Sequence, residues 1–549
     1  MFHLGNLLLH ILNILLIYWL VQLITKNNYA SVLTAAFFAL HPMHVESVAW
    51  VAERKDVLYS FFFLATLISY IYYIKTNCKY KFLIIAIITF ILSLLSKFAA
   101  VTLPLILILI DYYYNRPLNL KVITEKIPFF ILALALGIIH FSTKDAQLST
   151  QVITENFTAL DRIFLGSYSL FYYFMSVLFP FKICPLHPYP DKINGILPVY
   201  YYASFVFVIL LIIIAFVLIL KSKKIKKDLI FGLLFFLINI ALVIHIVPFG
   251  GWVVVADRYS YIAYFGLFFI IGKLWILINE NYFNPAKKIK NIFNTLIIIS
   301  LLIFSYSTYS YSLNWKNSNT FWNLVIDHYP SNSCSAIAYY GRGISEGEEK
   351  NYKDAFDDYN MAIKLKPNFP DAYNNRGKIR QDLKDYEGSI VDFNKAISLD
   401  PNFTKAYHNR GYTYYFLQKY DKAMLDYNKA VKLDPFYYEA YDNRGIVKFL
   451  LNDFKGAIED YNKAILLKPD FAEAYNNRGG ANYYLKDFKT AENDYSKAIQ
   501  LKPDFLDAYK NRCFTRLELN DIQGACNDYN IAKSLGYNEE NETIKKYCK

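Results

Sequence analysis

What most limits the fold of this chain is a period in its second half. Prolines at 367, 401, 435, 469 and 503 recur every 34 residues. In the same frame stand Tyr339, Tyr373, Tyr407, Tyr441, Tyr475 and Tyr509. So do Gly343, Gly377, Gly411, Gly445 and Gly479, with Cys513 in the sixth place, and Ala362, Ala396, Ala430, Ala464, Ala498 and Ala532. Small residues let two helices approach, aromatics fill the space between units, and proline stops the second helix of each pair. The pattern predicts six helical hairpins over residues 335–538, with residues 539–549 as a C-terminal cap.

The first half obeys a different rule. Apolar runs fill 2–24, 29–40, 57–74, 82–96, 98–110, 127–141, 163–181, 199–220, 229–247, 259–277 and 292–313. Most are long enough for a bilayer crossing, and the run at residue 2 has neither a basic leader nor a small-residue cleavage site. The chain therefore reads as all-α, an integral multi-pass membrane domain over 1–314 followed by a tetratricopeptide α-solenoid. Its net charge of +12 collects in short Lys and Arg clusters between apolar runs. Those are Lys75 to Lys81, Arg116 to Lys126, Lys221 to Lys227 and Lys287 to Lys290, the pattern that marks cytoplasmic loops. No aromatic-interleaved basic surface suggests nucleic acid. The opposite, extracytoplasmic side then receives residues 41–56, Lys97, the loop at Asp257 and everything from Asn314 onward, the repeats included. That parity requires 163–181 to be re-entrant or surface-lying, and the first helix to run from outside to inside.

Ionisable residues are costly at a bilayer unless they face water, a cavity or a ligand. HPMHVESVAWVAERKD, residues 41–56, holds His41, His44, Glu46, Arg54 and Asp56 between apolar runs. His41 and His44 form a single pair with no further His or Cys to complete a metal shell, so no metal site is assigned. Glu46 and Asp56 are the candidate acid, base or hydroxyl acceptor, with a solvated polar turn as the alternative. Lys97 lies in a turn between apolar halves, as a snorkelling anchor or a ligand contact. Asp257 and Arg258 head a helix, flanked by Trp252 and Tyr259. Arginine there offers a phosphate its planar fork, and a local ion pair is the alternative.

HPMHVESVAWVAERKD, SKFAAVTLPLILILIDYY and ADRYSYIAYFGL, followed by the repeats, resemble the transmembrane and tetratricopeptide-repeat O-mannosyltransferases and their bacterial relatives along the whole chain. That resemblance implies a C-type membrane glycosyltransferase fold. It implies a polyprenyl-phosphate sugar as donor, a protein hydroxyl as acceptor and transfer on the outer side of a membrane, the bacterial inner membrane for this chain. It places Glu46, Arg54 and Asp56 at the active site and Arg258 and Lys97 at the lipid phosphate, with His41, His44, Asp257 and Tyr259 in the substrate-binding set. No cofactor is firmly implied, and a divalent cation is left open. The family's principal acidic motif belongs to an outer loop before the helix at Phe2, so the likeness implies either a longer chain or an inactive relative serving as a membrane-anchored binding scaffold.

Within the repeats, Asn375, Asn409, Asn443, Asn477 and Asn511 occupy one position on the first helix, expected to face the concave groove. An amide ladder can hold an extended peptide backbone whatever its sequence, and this one resembles the ladder of the O-linked N-acetylglucosamine transferase. The alternative is an internal device tying neighbouring helices together. Arg376, Arg410, Arg444, Arg478 and Arg512 are expected to pack on Asp392, Asp426, Asp460, Asp494 and Asp528. Cys513, Cys526 and Cys548 can supply one disulfide in an oxidising compartment, or remain free thiols.

Overall fold

The computed structural model describes residues 2–117, 119–143, 153–180, 183–221, 224–244, 246, 253–279, 287–332 and 335–537. Trp252, Cys548 and the cap at 539–549 lie outside them. The chain divides into two compact units, Met1–Ala338 and Tyr339–Lys549. Both are helical, and tetratricopeptide repeats fill much of the second.

In the first unit every apolar run carries a helix. Among the described residues five helices are long and apolar enough to cross a membrane: His3–Thr25, Val51–Lys75, Leu120–His140, Val199–Lys221 and Lys288–Trp315. A sixth candidate is the pair Asn28–Leu40 and Pro42–Ala49, bent by 59°. The break follows from local chemistry. A residue before proline is driven out of the helical region, and His41 sits at φ −74° and ψ 124°. The run at 163–181 is one helix, Ala159–Leu178, opened by a capping box between Thr158 and Asp161.

The charged stretch between the apolar runs proves to be wound. Residues 42–53 form two short 3-10 turns around the helix Val45–Ala49, and Arg54 to Asp56 are the first turn of Arg54–Lys75. An acidic side chain in a first turn is favoured by the helix dipole, which explains why the helix begins inside the charged stretch. Apolar helices then pack through small residues. Gly266 lies against the backbone of Gly232, and Gly272 against the carbonyl of Ala30, approaches that a larger side chain would block.

At the Lys75 end of the same helix lies a buried set of paired charges. Asp111 accepts the Tyr70 hydroxyl at 2.9 Å and Arg116 Nη1 at 3.1 Å, and it also pairs with Lys126. Glu125 accepts the Tyr73 hydroxyl at 2.6 Å and Arg116 Nη2 at 3.0 Å. Two of the three basic residues in the 116–126 cluster are thus neutralised inside the protein rather than free in a loop.

The repeat unit contains antiparallel hairpins running from Ser335–Glu348 with Tyr352–Leu365 to Leu506–Glu518 with Ile522–Ser534. The recurring glycine sits under an aromatic ring of the partner helix: a Cβ on Gly445 would lie 2.6 Å from Tyr461. The arginines pack as expected. Arg410 donates through Nε to Asp426 Oδ2 at 2.8 Å and through Nη2 to Oδ1 at 2.6 Å. The same fork joins Arg376 to Asp392, Arg444 to Asp460, Arg478 to Asp494 and Arg512 to Asp528. Arg342 and Asp358 add a further pair. The remaining Nη1 reaches back to the preceding repeat, as from Arg376 to Asn360 Oδ1 at 2.7 Å and from Arg444 to Asn428 Oδ1 at 2.8 Å.

Removing one partner of a buried pair leaves an uncompensated charge, so Arg410→Ala should destabilise the repeat unit by about 3 kcal/mol. The double variant Arg410→Met with Asp426→Leu should recover most of that loss. Thermal unfolding followed by circular dichroism checks both; equal losses in the single and double variants would contradict the pairing account.

Candidate functional site

The bend at His41 sets the geometry of the site. It carries Glu46 and Glu53 into the protein ahead of Asp56, and all three are buried, at 0%, 4% and 0% exposure. A 3-10 turn at Asp257–Ser260 brings Arg258 to the same place. Its backbone N–H donates to Glu46 Oε2 at 2.7 Å, its guanidinium pairs with Glu46 Oε1, and its Nε stands 3.6 Å from Glu53 Oε1. Lys97 pairs with Asp56 Oδ1, and the Ser47 hydroxyl lies 3.4 Å from Oδ2. Tyr259 sits beside both cations, with its ring centre 5.2 Å from Arg258 and 5.9 Å from Lys97; Trp50 lies 5.5 Å from the guanidinium. Arg54 donates to Asn6 Oδ1 at 3.1 Å, tying the stretch to the first helix.

Both oxygens of Glu46 and of Asp56, the candidate acid, base or hydroxyl acceptor, are engaged, on Arg258 and on Lys97 with Ser47. They hold the cations. The side chains of Lys97 and Arg258 keep 19% and 15% exposure above fully buried carboxylates. In each pair the cation is thus the more accessible member.

Asp257 closes the site on the other side. It accepts the hydroxyls of Tyr172 at 3.1 Å and Tyr311 at 3.0 Å. Burial, with Glu46 nearby, pushes its carboxyl well above the usual range, and the two phenols oppose that push. A single antiparallel bridge between His187 and Val255 fixes His187 alongside. Its Nε2 lies 2.9 Å from the Tyr172 hydroxyl and its Nδ1 2.5 Å from that of Tyr329. Because Tyr172 donates to Asp257, its oxygen is assigned the Nε2–H of His187, and Tyr329 then donates to Nδ1. Burial lowers the His187 pKa to about 3, which keeps that ring neutral.

His41 and His44 stand apart from this ion-pair cluster, among aromatic rings. His44 Nδ1 is 2.7 Å from the Phe38 carbonyl, and His41 Nε2 is 3.4 Å from that of Val177. The rings of Tyr264 and Phe268 flank both imidazoles. The cluster thus gathers Glu46, Asp56, Lys97, Asp257, Arg258 and Tyr259, with Arg54 at its edge. Sequence reasoning missed Glu53, Trp50, Tyr172, His187 and Tyr311.

The tetratricopeptide repeat model matches residues 370–403, 404–437 and 472–505, and a second TPR repeat model matches 348–384 and 447–486. The Protein O-mannosyl-transferase F38B6.6 of Caenorhabditis elegans is 23% identical over 67% of this chain and 51% of its own length. Protein O-mannosyl-transferase TMTC1 of Homo sapiens is 40% identical over 13% of this chain and 8% of its own. These are proteins the chain is similar to. The chain spans about half the length of the worm protein. Among solved structures, that of MamA is 26% identical over 31% of this chain and 97% of its own, with a TM-score of 0.28.

The asparagine ladder is already tied within the array. Asn409 donates to Asn374 Oδ1 at 3.0 Å, Asn443 meets His408 Nε2 at 2.8 Å, Asn477 donates to Asp442 Oδ1 at 3.1 Å and Asn511 to Asn476 Oδ1 at 3.0 Å. Asn375 donates to the Tyr340 hydroxyl at 3.2 Å. One amide proton at each position therefore links consecutive repeats. Cys513 is a free, buried thiol, whereas Cys526 takes part in a disulfide.

Asp442 stands where two other repeats have Asn374 and Asn476. Burial raises its carboxyl from 3.8 to about 6. The folded state therefore holds its proton more tightly, and stability falls as pH rises between about 4 and about 6, then levels. Asp442→Asn should remove that fall and stabilise the repeats above pH 6 by up to about 3 kcal/mol, with little change near pH 4. Melting temperatures across that range check the sign; a variant less stable at pH 7 would contradict it.

Proposed function

We propose that this chain is a membrane glycosyltransferase-like protein. In this reading it moves a mannose-type sugar from a polyprenyl-phosphate donor to a protein hydroxyl on the extracytoplasmic side, and its repeats bind the acceptor protein or a partner. The observation that carries the reading is the pair of cations around Tyr259. Arg258 offers its fork to a phosphate and Lys97 a point charge, both set by buried carboxylates beside candidate membrane spans. The names of the curated relatives support the same reaction class. The Lys-rich clusters favour a multi-pass topology that leaves this site and the repeats outside.

A second reading is a membrane-anchored binding scaffold. What favours it is the engagement of both oxygens on Glu46 and on Asp56, which leaves neither free to act as a base.

Membranes containing the chain, supplied with radiolabelled polyprenyl-phosphate mannose and a threonine peptide, separate the two. Transfer should occur with the wild type. It should fall roughly 100-fold or more in Arg258→Ala and only partly recover in Arg258→Lys, as loss of a preorganised charge contact does. Peptide capture without any transfer by the wild type would support the scaffold.

A further inference from the structure

Four carboxylates converge on the membrane-face cluster, and three have both oxygens occupied. Glu46 is held by the backbone and side chain of Arg258, Asp56 by Lys97 and Ser47, and Asp257 by Tyr172 and Tyr311. Glu53 differs. Its Oε1 stands at the long distances of 3.5 Å from Lys55 Nζ and 3.6 Å from Arg258 Nε. Its Oε2 is buried with no hydrogen-bond partner among the described residues, on a residue only 4% exposed. A buried carboxylate oxygen left unpaired costs free energy comparable to a lost hydrogen bond or more, so one retained at a ligand-facing cluster has to be explained by what it meets.

We propose that Glu53 is the carboxylate that receives the acceptor hydroxyl, an inference that rests on the transferase reading above. The position suits the task. Glu53 shares Arg258 with Glu46, so a hydroxyl on Oε2 lies next to the cation proposed for the donor phosphate. The step balances without a further reactant. The acceptor oxygen bonds the anomeric carbon as its proton passes to Oε2. The bond from that carbon to the lipid-phosphate oxygen breaks, and its electron pair leaves on the phosphate beside Arg258 and Lys97. Glu46 and Asp56 act only through the cations they hold, as positioning residues.

The test begins with the unmodified chain in membranes. Dicyclohexylcarbodiimide, an apolar reagent for buried carboxyls, is applied and the adducts are read by peptide mass spectrometry. Glu53 should be labelled at least tenfold more than Glu46, Asp56 or Asp257. A threonine hexapeptide should reduce that labelling several-fold, and its alanine counterpart should not. Equal labelling of the four carboxylates, or equal protection by both peptides, would overturn the proposal, and neither result depends on turnover.

The transfer assay then separates this inference from the reading beneath it. Glu53→Gln should lose transfer by 100-fold or more at saturating donor, while still binding polyprenyl phosphate. Glu53→Asp should recover part of the rate. Transfer by Glu53→Gln at the wild-type rate would overturn the role of Glu53 and leave the transferase reading standing. A wild type that transfers nothing, with labelling of Glu53 still blocked by the threonine peptide alone, would sink the transferase reading and retain Glu53 as a hydroxyl contact.

Discussion

The pair between Arg258 and Glu46 is the interaction on which the membrane unit depends. It joins residues 212 apart in the chain, in an interior that is largely apolar. A charge placed there carries a desolvation penalty that only a close counter-charge with well-aligned hydrogen bonds offsets. Glu46 meets the requirement twice, through the guanidinium and through the backbone N–H of the same residue. That double contact fixes the 3-10 turn as well as the side chain. Asp257, Tyr259 and the neighbouring His187 take up their places around a turn already pinned.

The same rule orders the repeat unit by different means. Its helices are rich in polar residues and small apolar ones, so each inter-helix seam is thin. The arginine fork compensates by meeting the aspartate of its own repeat and the asparagine of the one before. Three helices are thereby fixed by one side chain. The amide bonds from Asn409, Asn443, Asn477 and Asn511 run along the first helices in parallel with it. The repeats thus carry two polar ladders beside a glycine and aromatic core.

How much of this was legible in the sequence depends on distance along the chain. The arginine and aspartate pairing could be read because it recurs at one spacing in every repeat, and repetition separates a rule from chance. The helix break at Pro42 was equally local. Arg258 and Glu46 could be marked singly as charges at a membrane face, but no short-range pattern announces that they are partners. Tyr172 and Tyr311 are two of 49 tyrosines, and only the folded chain shows which of them reach Asp257. Glu53 sits inside the most conspicuous stretch of the sequence. What sets it apart is an oxygen with no hydrogen-bond partner among the described residues, and that is a property of the neighbours' positions.

The backward reach of the arginine fork has a consequence for how such an array can change. Arg376, Arg410, Arg444 and Arg478 each find an asparagine and an aspartate at equal sequence separations on either side, with Ser496 in the asparagine's place for Arg512, in units whose period is 34 residues. Excision or duplication of one whole period therefore rejoins an arginine to an equivalent asparagine, and every contact closes again. A deletion of any other length strands a guanidinium at the scar. Unequal recombination within such a gene would thus lengthen or shorten the array in complete repeats, so its length is free to drift while its register is not.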